Sequence, residues 1–284
     1  MLIPGIIWVL MFVYYPFIGN VIAFEKFTVT KGIWKSKWIG WGNFEALMRY
    51  PNFGRIMYNT VFIAVSKIVL GMLVAVGFAL MLNEVRGSAV RRTIQTIVYL
   101  PNFLSWVILS GIMVEILSSK GIVNSAVRML GGKTVNFLGE AKVFPYTIII
   151  SDVWKSFGYN AIIYLAALTG IDPTLYEAAV IDGAGRIRQT WHVTLPGIRP
   201  TIILMSTLAL GNVLNAGFEQ IFTLYSPAVY STGDIIDTVV YRLGIVDARY
   251  GVSTAASLFR SCISLILVAI SYRLADQFAG YQIF

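Results

Sequence analysis

The chain alternates long apolar runs with polar connections, and the runs exceed what an ordinary core helix requires. Taking about 20 residues as the length that crosses a hydrocarbon core, six stretches qualify. They are Leu2 to Phe24, Thr60 to Leu82, Thr93 to Leu117, Phe144 to Gly170, Thr201 to Leu224 and Val252 to Leu274. The pattern predicts an all-α membrane protein with six transmembrane helices. Residues 1–55 read as a first span with its outer loop, and residues 56–284 as a core of five spans. The first stretch is uncharged until Glu25 and Lys26 and lacks the basic lead of a cleavable signal, so it reads as a retained span. Its abrupt apolar start is taken to mean that a native N-terminal tail is missing. Asp234 to Leu243, between the last two spans, reads as a short helix outside the membrane.

Composition agrees: 57% of the 284 residues are hydrophobic and 13% charged, against roughly 25% charged in a soluble domain. Twenty-two basic residues against 14 acidic ones leave a net charge of +8. With no Arg/Lys stripe interleaved with aromatics and no zinc-finger spacing, that excess reads as contact with lipid head groups rather than nucleic acid. One cysteine, Cys262, excludes an internal disulfide and a thiolate cage, and one histidine, His192, excludes a two-histidine metal site. Orientation stays open on charge alone. If residues 171–200 are cytoplasmic, seven basic residues lie inside and twelve outside, against the positive-inside rule, although three arginines crowd the tight 83–92 connection.

Residues 172–199 carry the most specific signal. Asp172 can cap free N–H groups, Pro173 suits the first helical position, and Gly183 or Gly185 can end the helix. A second helical piece from Arg186 to Thr194 is expected to stop at Leu195-Pro196-Gly197, with Pro200 opening the next span. An isolated Glu-Ala-Ala in a well-capped connector says little. Here Glu177-Ala178-Ala179 is followed after three residues by Gly183, and after nine more by Val193-x-Leu195-Pro196. This pattern resembles the EAA loop in membrane subunits of ATP-binding-cassette importers, with valine for the usual isoleucine at 193. The resemblance extends to Ile22-Ala23-Phe24, Trp41-Gly42-Asn43-Phe44, Gly217 to Phe222, Tyr225-Ser226-Pro227, Asp234 to Thr238, Tyr241-Arg242 and the Gly280 to Phe284 ending. It is similar to the LplB-like subgroup of maltose-type permeases and, within it, to the first permease of alginate importers.

The resemblance implies a type I importer permease fold of the MetI and MalF kind, located in a bacterial inner membrane, with the 172–199 loop cytoplasmic. It implies a coupling helix, Tyr176 to Ala184, in which Tyr176, Glu177, Ala178, Ala179, Asp182, Gly183 and Ala184 meet an ATPase subunit. The implied partners are a second homologous permease, two ATP-binding-cassette ATPases that carry the ATP and Mg, an extracytoplasmic solute-binding protein, an oligosaccharide and lipid. No cofactor is expected on this chain itself. Gly132-Lys133-Thr134 ends like a phosphate-binding loop, but Val127 stands where that loop needs glycine.

Charges inside spans are expensive, about 2.5–3.5 kcal/mol each when central, so Lys67, Asp152, Lys155, Glu219 and Arg260 should face the bundle interior, water or one another. Asp152 and Lys155, three apart, either neutralise each other or form a pathway wall together with Trp154 and Tyr159. Asn212, Asn215, Phe218 and Glu219 at helical spacing read as a sugar lining or as interhelical glue. Arg260 could pair with Glu219 or meet an anionic sugar, and Lys155 and Arg260 are the expected contacts for a uronate. His192 reads as a packing or hydrogen-bonding residue rather than a pH sensor, Cys262 as a small apolar packer, and Trp34, Trp38 and Trp41 as interfacial anchors or a docking surface. An ion-coupled carrier or channel, and an intramembrane enzyme, are the rival classes; the enzyme lacks any catalytic constellation.

Overall fold

The computed structural model describes residues 2–211 and 213–279, with side chains as far as Arg273; Asn212 and the Gly280 to Phe284 ending lie outside the described residues. The chain is helical, apart from a two-stranded hairpin pairing Glu25 with Trp38 and Lys26 with Lys37. Among the described residues, five stretches are long and apolar enough to cross a membrane: Ile3–Phe24, Phe53–Asn83, Trp106–Met129, Arg186–Leu210 and Tyr250–Arg273. The sixth expected span, Phe144–Thr169, has 26 residues, about 39 Å at the α-helical rise. Its length suffices; Ser151, Asp152, Lys155 and Asn160 dilute its apolar character.

Phe53–Asn83 organises the bundle and packs along most of its length against Phe144–Thr169. It threads three successive core clusters. Ile56 joins Leu47, Ile236, Leu243 and Val252 at one end; Ile63 and Ala64 join Leu109, Phe144, Ile148 and Ile221; Ala75, Ala79 and Leu82 join Ala161, Leu165, Leu168 and Ile198 at the other. Small residues allow the close approach that packing in lipid depends on. At Gly158 a Cβ would come within 2.4 Å of Val98 Cγ1 and 2.6 Å of the Val98 carbonyl oxygen. Between Ala64 and Ala75 the apolar core is interrupted, and the polar site lies in that gap.

Two expected spans are broken. Thr93 to Leu117 divides into Ser88–Tyr99, a 3₁₀ turn at Leu100–Phe103 and a helix Trp106–Leu117. Pro101 removes a backbone donor, Leu104 and Ser105 are extended, and the Ser105 side chain caps the new helix by accepting from the Ile108 N–H. Thr201 to Leu224 is likewise two pieces. A helix Leu195–Leu210 with Pro200 inside it follows directly on a wide turn at Thr190–Thr194, so the expected stop at Leu195-Pro196-Gly197 does not occur. Helix resumes only at Phe218–Leu224, after Gly217 at φ +89°. The expected helix in Asp234 to Leu243 forms as Ile236–Tyr241, continuing through Val246.

Candidate functional site: a polar intramembrane cavity and a projecting loop

At one end of the bundle the 172–199 loop projects. The Asp172 carboxylate accepts from the Thr174 N–H at 2.9 Å, which holds its pKa below the usual carboxylate range, and Pro173 occupies the first turn. The helix Pro173–Ile181 closes with a double bond pattern: the Ala184 N–H donates to Ala179 O (2.8 Å) and the Gly183 N–H to Val180 O (3.0 Å). That geometry places Gly183 at φ +75°, a left-handed conformation that disfavours any Cβ. Tyr176 Oη donates to Thr194 Oγ1 (3.1 Å), and Gln189 Nε2 donates to Ala184 O (2.8 Å). These two bonds set the angle between Pro173–Ile181 and the helical piece after it, leaving a recess of about 380 Å³ lined by Ala178, Ala179, Ala184 and His192. Of the residues expected to couple, Tyr176 therefore holds the loop from within. Glu177, Ala178, Asp182 and Gly183 are exposed, and Ala179 and Ala184 are half-buried.

The same end exposes Leu175, Val180, Ile181, Ile187 and Trp191, with Ile181 86% accessible. Large apolar side chains clustered on a polar loop mark a surface that another protein covers. Arg186 reaches Glu84 at 3.3 Å, fastening the loop to the C-terminal end of Phe53–Asn83. Both partners are exposed, so the pair contributes at most about 1 kcal/mol. His192 is exposed, with a ring nitrogen 3.0 Å from Arg188 O, which fits a hydrogen-bonding residue, whereas Cys262 is exposed and is not a buried packer.

Near the middle of the bundle is a cavity of about 520 Å³ whose polar lining includes Lys67, Asp152, Ser156, Asn160, Tyr164 and Asn215. Lys67, buried on Phe53–Asn83, donates to Ala216 O (2.8 Å) and Gln220 Oε1, and lies 3.5 Å from Asp152 Oδ1. Gln220 is fully buried and donates in turn to Ile148 O (2.8 Å) and Ser151 Oγ (2.9 Å). This network ties the 53–83 and 144–169 helices to the break at 211–217. Asp152 and Lys155 do not pair. Three residues of helix separate their directions by about 60°, which turns Asp152 towards Lys67 and Lys155 towards the 100–106 kink. There Lys155 donates to Asn102 O (3.0 Å) and lies over the Trp106 ring at 5.5 Å. Trp154 is exposed and lies about 200° round the helix from Asp152, so it does not join this cavity wall. Tyr159 is exposed and meets Phe103 edge-on.

A second cavity, of about 420 Å³, brings together Asn215, Phe218, Asp237, Tyr241 and Arg260. Arg260 pairs with Asp237, not with Glu219, which is exposed and makes no ion pair among the described residues. Burial pushes the Asp237 carboxyl above its usual range, and the Arg260 guanidinium opposes that shift. Phe218, Phe222 and Tyr241 lie with ring centroids 4.6–5.7 Å apart, giving an aromatic wall suited to stacking on sugar rings. Because the chain breaks before Phe218, Asn215, Phe218 and Glu219 do not form one helical stripe. Asp237, Tyr241 and Gln220 are the site residues that sequence reasoning missed. The signal for Asp237 was a carboxylate in the short outer helix with an unmatched arginine in the neighbouring span.

Apolar helices around a half-open polar cavity, with a capped helix and apolar side chains projecting from one end, define a membrane transport component built to dock on another protein. Residues 67–279 match the family described as binding-protein-dependent transport system inner membrane component, and the chain belongs to it. It is 39% identical to protein LplB of Bacillus subtilis (strain 168), over 98% of this chain and 88% of that protein. It is 38% identical to the polygalacturonan/rhamnogalacturonan transport system permease protein YteP of the same organism, over 100% and 89% respectively. Among solved structures it is similar to a bacterial ABC transporter involved in the import of the acidic polysaccharide alginate, with TM-score 0.90, 39% identity, and 98% and 94% of the two chains covered. A related structure of the alginate transporter in complex with an alginate pentasaccharide-bound periplasmic protein matches at TM-score 0.90 and 38% identity over 100% and 95%. The chain is thus a type I importer permease of the inner membrane, a transport subunit. The ion-coupled carrier finds no support in these relatives.

Proposed function

We propose that this chain forms half of the pathway of an ATP-driven oligosaccharide importer, with a second homologous permease supplying the other half and uronate-type sugars as cargo. A solute-binding protein delivers sugar at the end where Phe53–Asn83 begins. Two ATPase subunits bind and hydrolyse ATP and seat on the 172–199 loop. Residues 1–55 serve as a peripheral arm on the core of residues 56–284.

The observation that carries this reading is the pairing of a polar cavity at mid-bundle with an apolar, rigidly capped helix at its foot. The first suits a hydroxyl-rich solute, and the second suits transmission of force from a soluble partner. Glu177, Ala178, Asp182 and Gly183 are its contact surface, and Tyr176, Ala179 and Ala184 set the angle at which it is presented. Asp152, Asn215, Phe218, Glu219 and Tyr159 contribute polar groups and ring faces to the sugar path. Arg260 is committed to Asp237 and acts by orienting it. The acidic preference draws on the alginate and polygalacturonan substrates of relatives at 39% and 38% identity, and on Lys155, which makes no ion pair among the described residues.

The test is uptake of a labelled uronate oligosaccharide into liposomes holding the assembled complex. Uptake is expected only with ATP inside and loaded binding protein outside. Uptake by the permease chain alone, driven by an ion gradient, would contradict the reading.

A further inference from the structure

A third cavity, of about 290 Å³, opens at the end of the bundle opposite the 172–199 loop, between the start of Phe53–Asn83 and the 230–242 segment. Arg242 lies in its floor. Nη2 donates to Asp234 Oδ2 (2.5 Å), the guanidinium lies 4.8 Å from the Tyr230 ring centre, and Nη1 has no partner among the described residues. Asp234 is already occupied, accepting from Thr238 Oγ1 (2.6 Å) as well. Arg55 stands exposed on the rim, and no carboxylate lies within 4.0 Å of it among the described residues. Tyr50 and Ser231 add hydroxyls beside it.

Folding does not explain Arg55. It is the third residue of a 31-residue helix whose first turn holds no acidic side chain, and a cation at the positive end of the helix dipole is unfavourable. Asp234 balances one of the two guanidinium groups, and the second is left over. Deeper in the bundle Lys67 and Arg260 are charge-balanced by Asp152 and Asp237, and Lys155, though without a carboxylate partner among the described residues, is held against Asn102 O and the Trp106 ring. Arg55 is therefore a reachable, unbalanced cation bordering a cavity. It lies twelve residues, about 18 Å of helix, beyond Lys67.

We propose that this pocket is a mouth subsite for one uronate unit: the sugar carboxylate bonds to Arg55, beside the Arg242–Asp234 pair, and the ring lies against Tyr50 or Tyr230. The volume is at the low end for ligand pockets and suits a single pyranose. This rests on the importer reading above and adds where acidic cargo is first selected, at the mouth.

The test uses the whole complex in liposomes, with an oligogalacturonate and its neutral methyl ester as cargo. Arg55→Gln should raise the apparent KM for the acidic sugar about fivefold, leave the neutral one unchanged, and leave the maximal rate intact. Arg55→Lys should restore most of the affinity. Equal effects on both sugars, or none, would overturn the subsite. So would a matching rise in the concentration of sugar-free binding protein needed to stimulate ATP hydrolysis, because that would assign Arg55 to protein docking. If wild-type complex imports neither sugar, the importer reading itself fails and the subsite with it; if wild type imports the acid and Arg55→Gln is indistinguishable from it, the subsite alone fails.

Discussion

Replacing Lys67 by methionine removes the centre of the intramembrane network while keeping side-chain length. Three acceptors lose their donor: Ala216 O, Gln220 Oε1 and the Asp152 carboxylate, which is 28% exposed to the cavity while Lys67 is 8% exposed. At 3.5 Å the Coulomb attraction is about 5 kcal/mol at an effective dielectric of 20, and desolvation of the ammonium offsets most of it. The intact pair thus adds little net stability. Its loss is another matter, because each buried acceptor left without a donor costs about 1–3 kcal/mol, whereas Asp152 can recover water from the cavity. The sum is about 3–5 kcal/mol for Lys67→Met, or a fall in unfolding midpoint on the order of 10 °C. Asp152→Asn leaves the ammonium its amide and carbonyl acceptors and should lose only about 1–2 kcal/mol. In the double variant no charge is stranded, so the two losses should fall short of adding by about 1–2 kcal/mol. Thermal unfolding of the purified complex, monitored for all three variants, decides it. Additive losses, or a larger loss for Asp152→Asn than for Lys67→Met, would refute the reasoning.

Two further outcomes follow from local geometry. Gly158→Ala should destabilise the bundle by about 1–3 kcal/mol despite alanine's better helix propensity, because its Cβ would meet the Val98 backbone; a thermal midpoint at or above wild type would show that the 88–99 helix is free to move away. Asp172, whose pKa is lowered on folding, stabilises the 173–181 helix above the ordinary carboxylate range near pH 4 and loses that effect as pH falls through its folded value. Hydrogen-exchange protection of that helix should therefore decline in acid for wild type and be flat for Asp172→Asn, which keeps a cap that does not titrate. Asp172→Ala should be less protected at every pH.

Long, largely apolar runs such as 60–82 and 252–274 were legible despite their isolated charges, because no soluble fold places such lengths together. The breaks at Pro101 and Gly217 were not. Apolar content continues through Pro101, where a missing donor interrupts the helix, while the polar residues around Gly217 read equally well as a stripe on one unbroken helix, and its positive φ is not visible in the pattern. The Asp172 cap and the Gly183 stop could be read directly because capping chemistry is local. Which charges pair could not, since Lys67 meets Asp152 across 85 residues and Arg260 meets Asp237 from a neighbouring element. Spacing along one helix drew attention to Asp152 with Lys155, and packing between helices overrode it. The coupling residues divided in the same way: motif position could not reveal that Tyr176 points inward to Thr194 while Glu177 points out.

The central claim is that the Pro173–Ile181 helix transmits the ATPase stroke, and Gly183 is its most exposed test. Gly183 and Gly185 both have open space where a Cβ would stand, but Gly183 alone of the two is at positive φ, so substitution there strains the stop by about 1–2 kcal/mol. ATP hydrolysis by the reconstituted complex, stimulated by loaded binding protein, should fall to the unstimulated level in Gly183→Val, with or without loss of the ATPase from the complex, and match wild type in Gly185→Ala. Intact assembly together with wild-type stimulation in Gly183→Val would contradict the account.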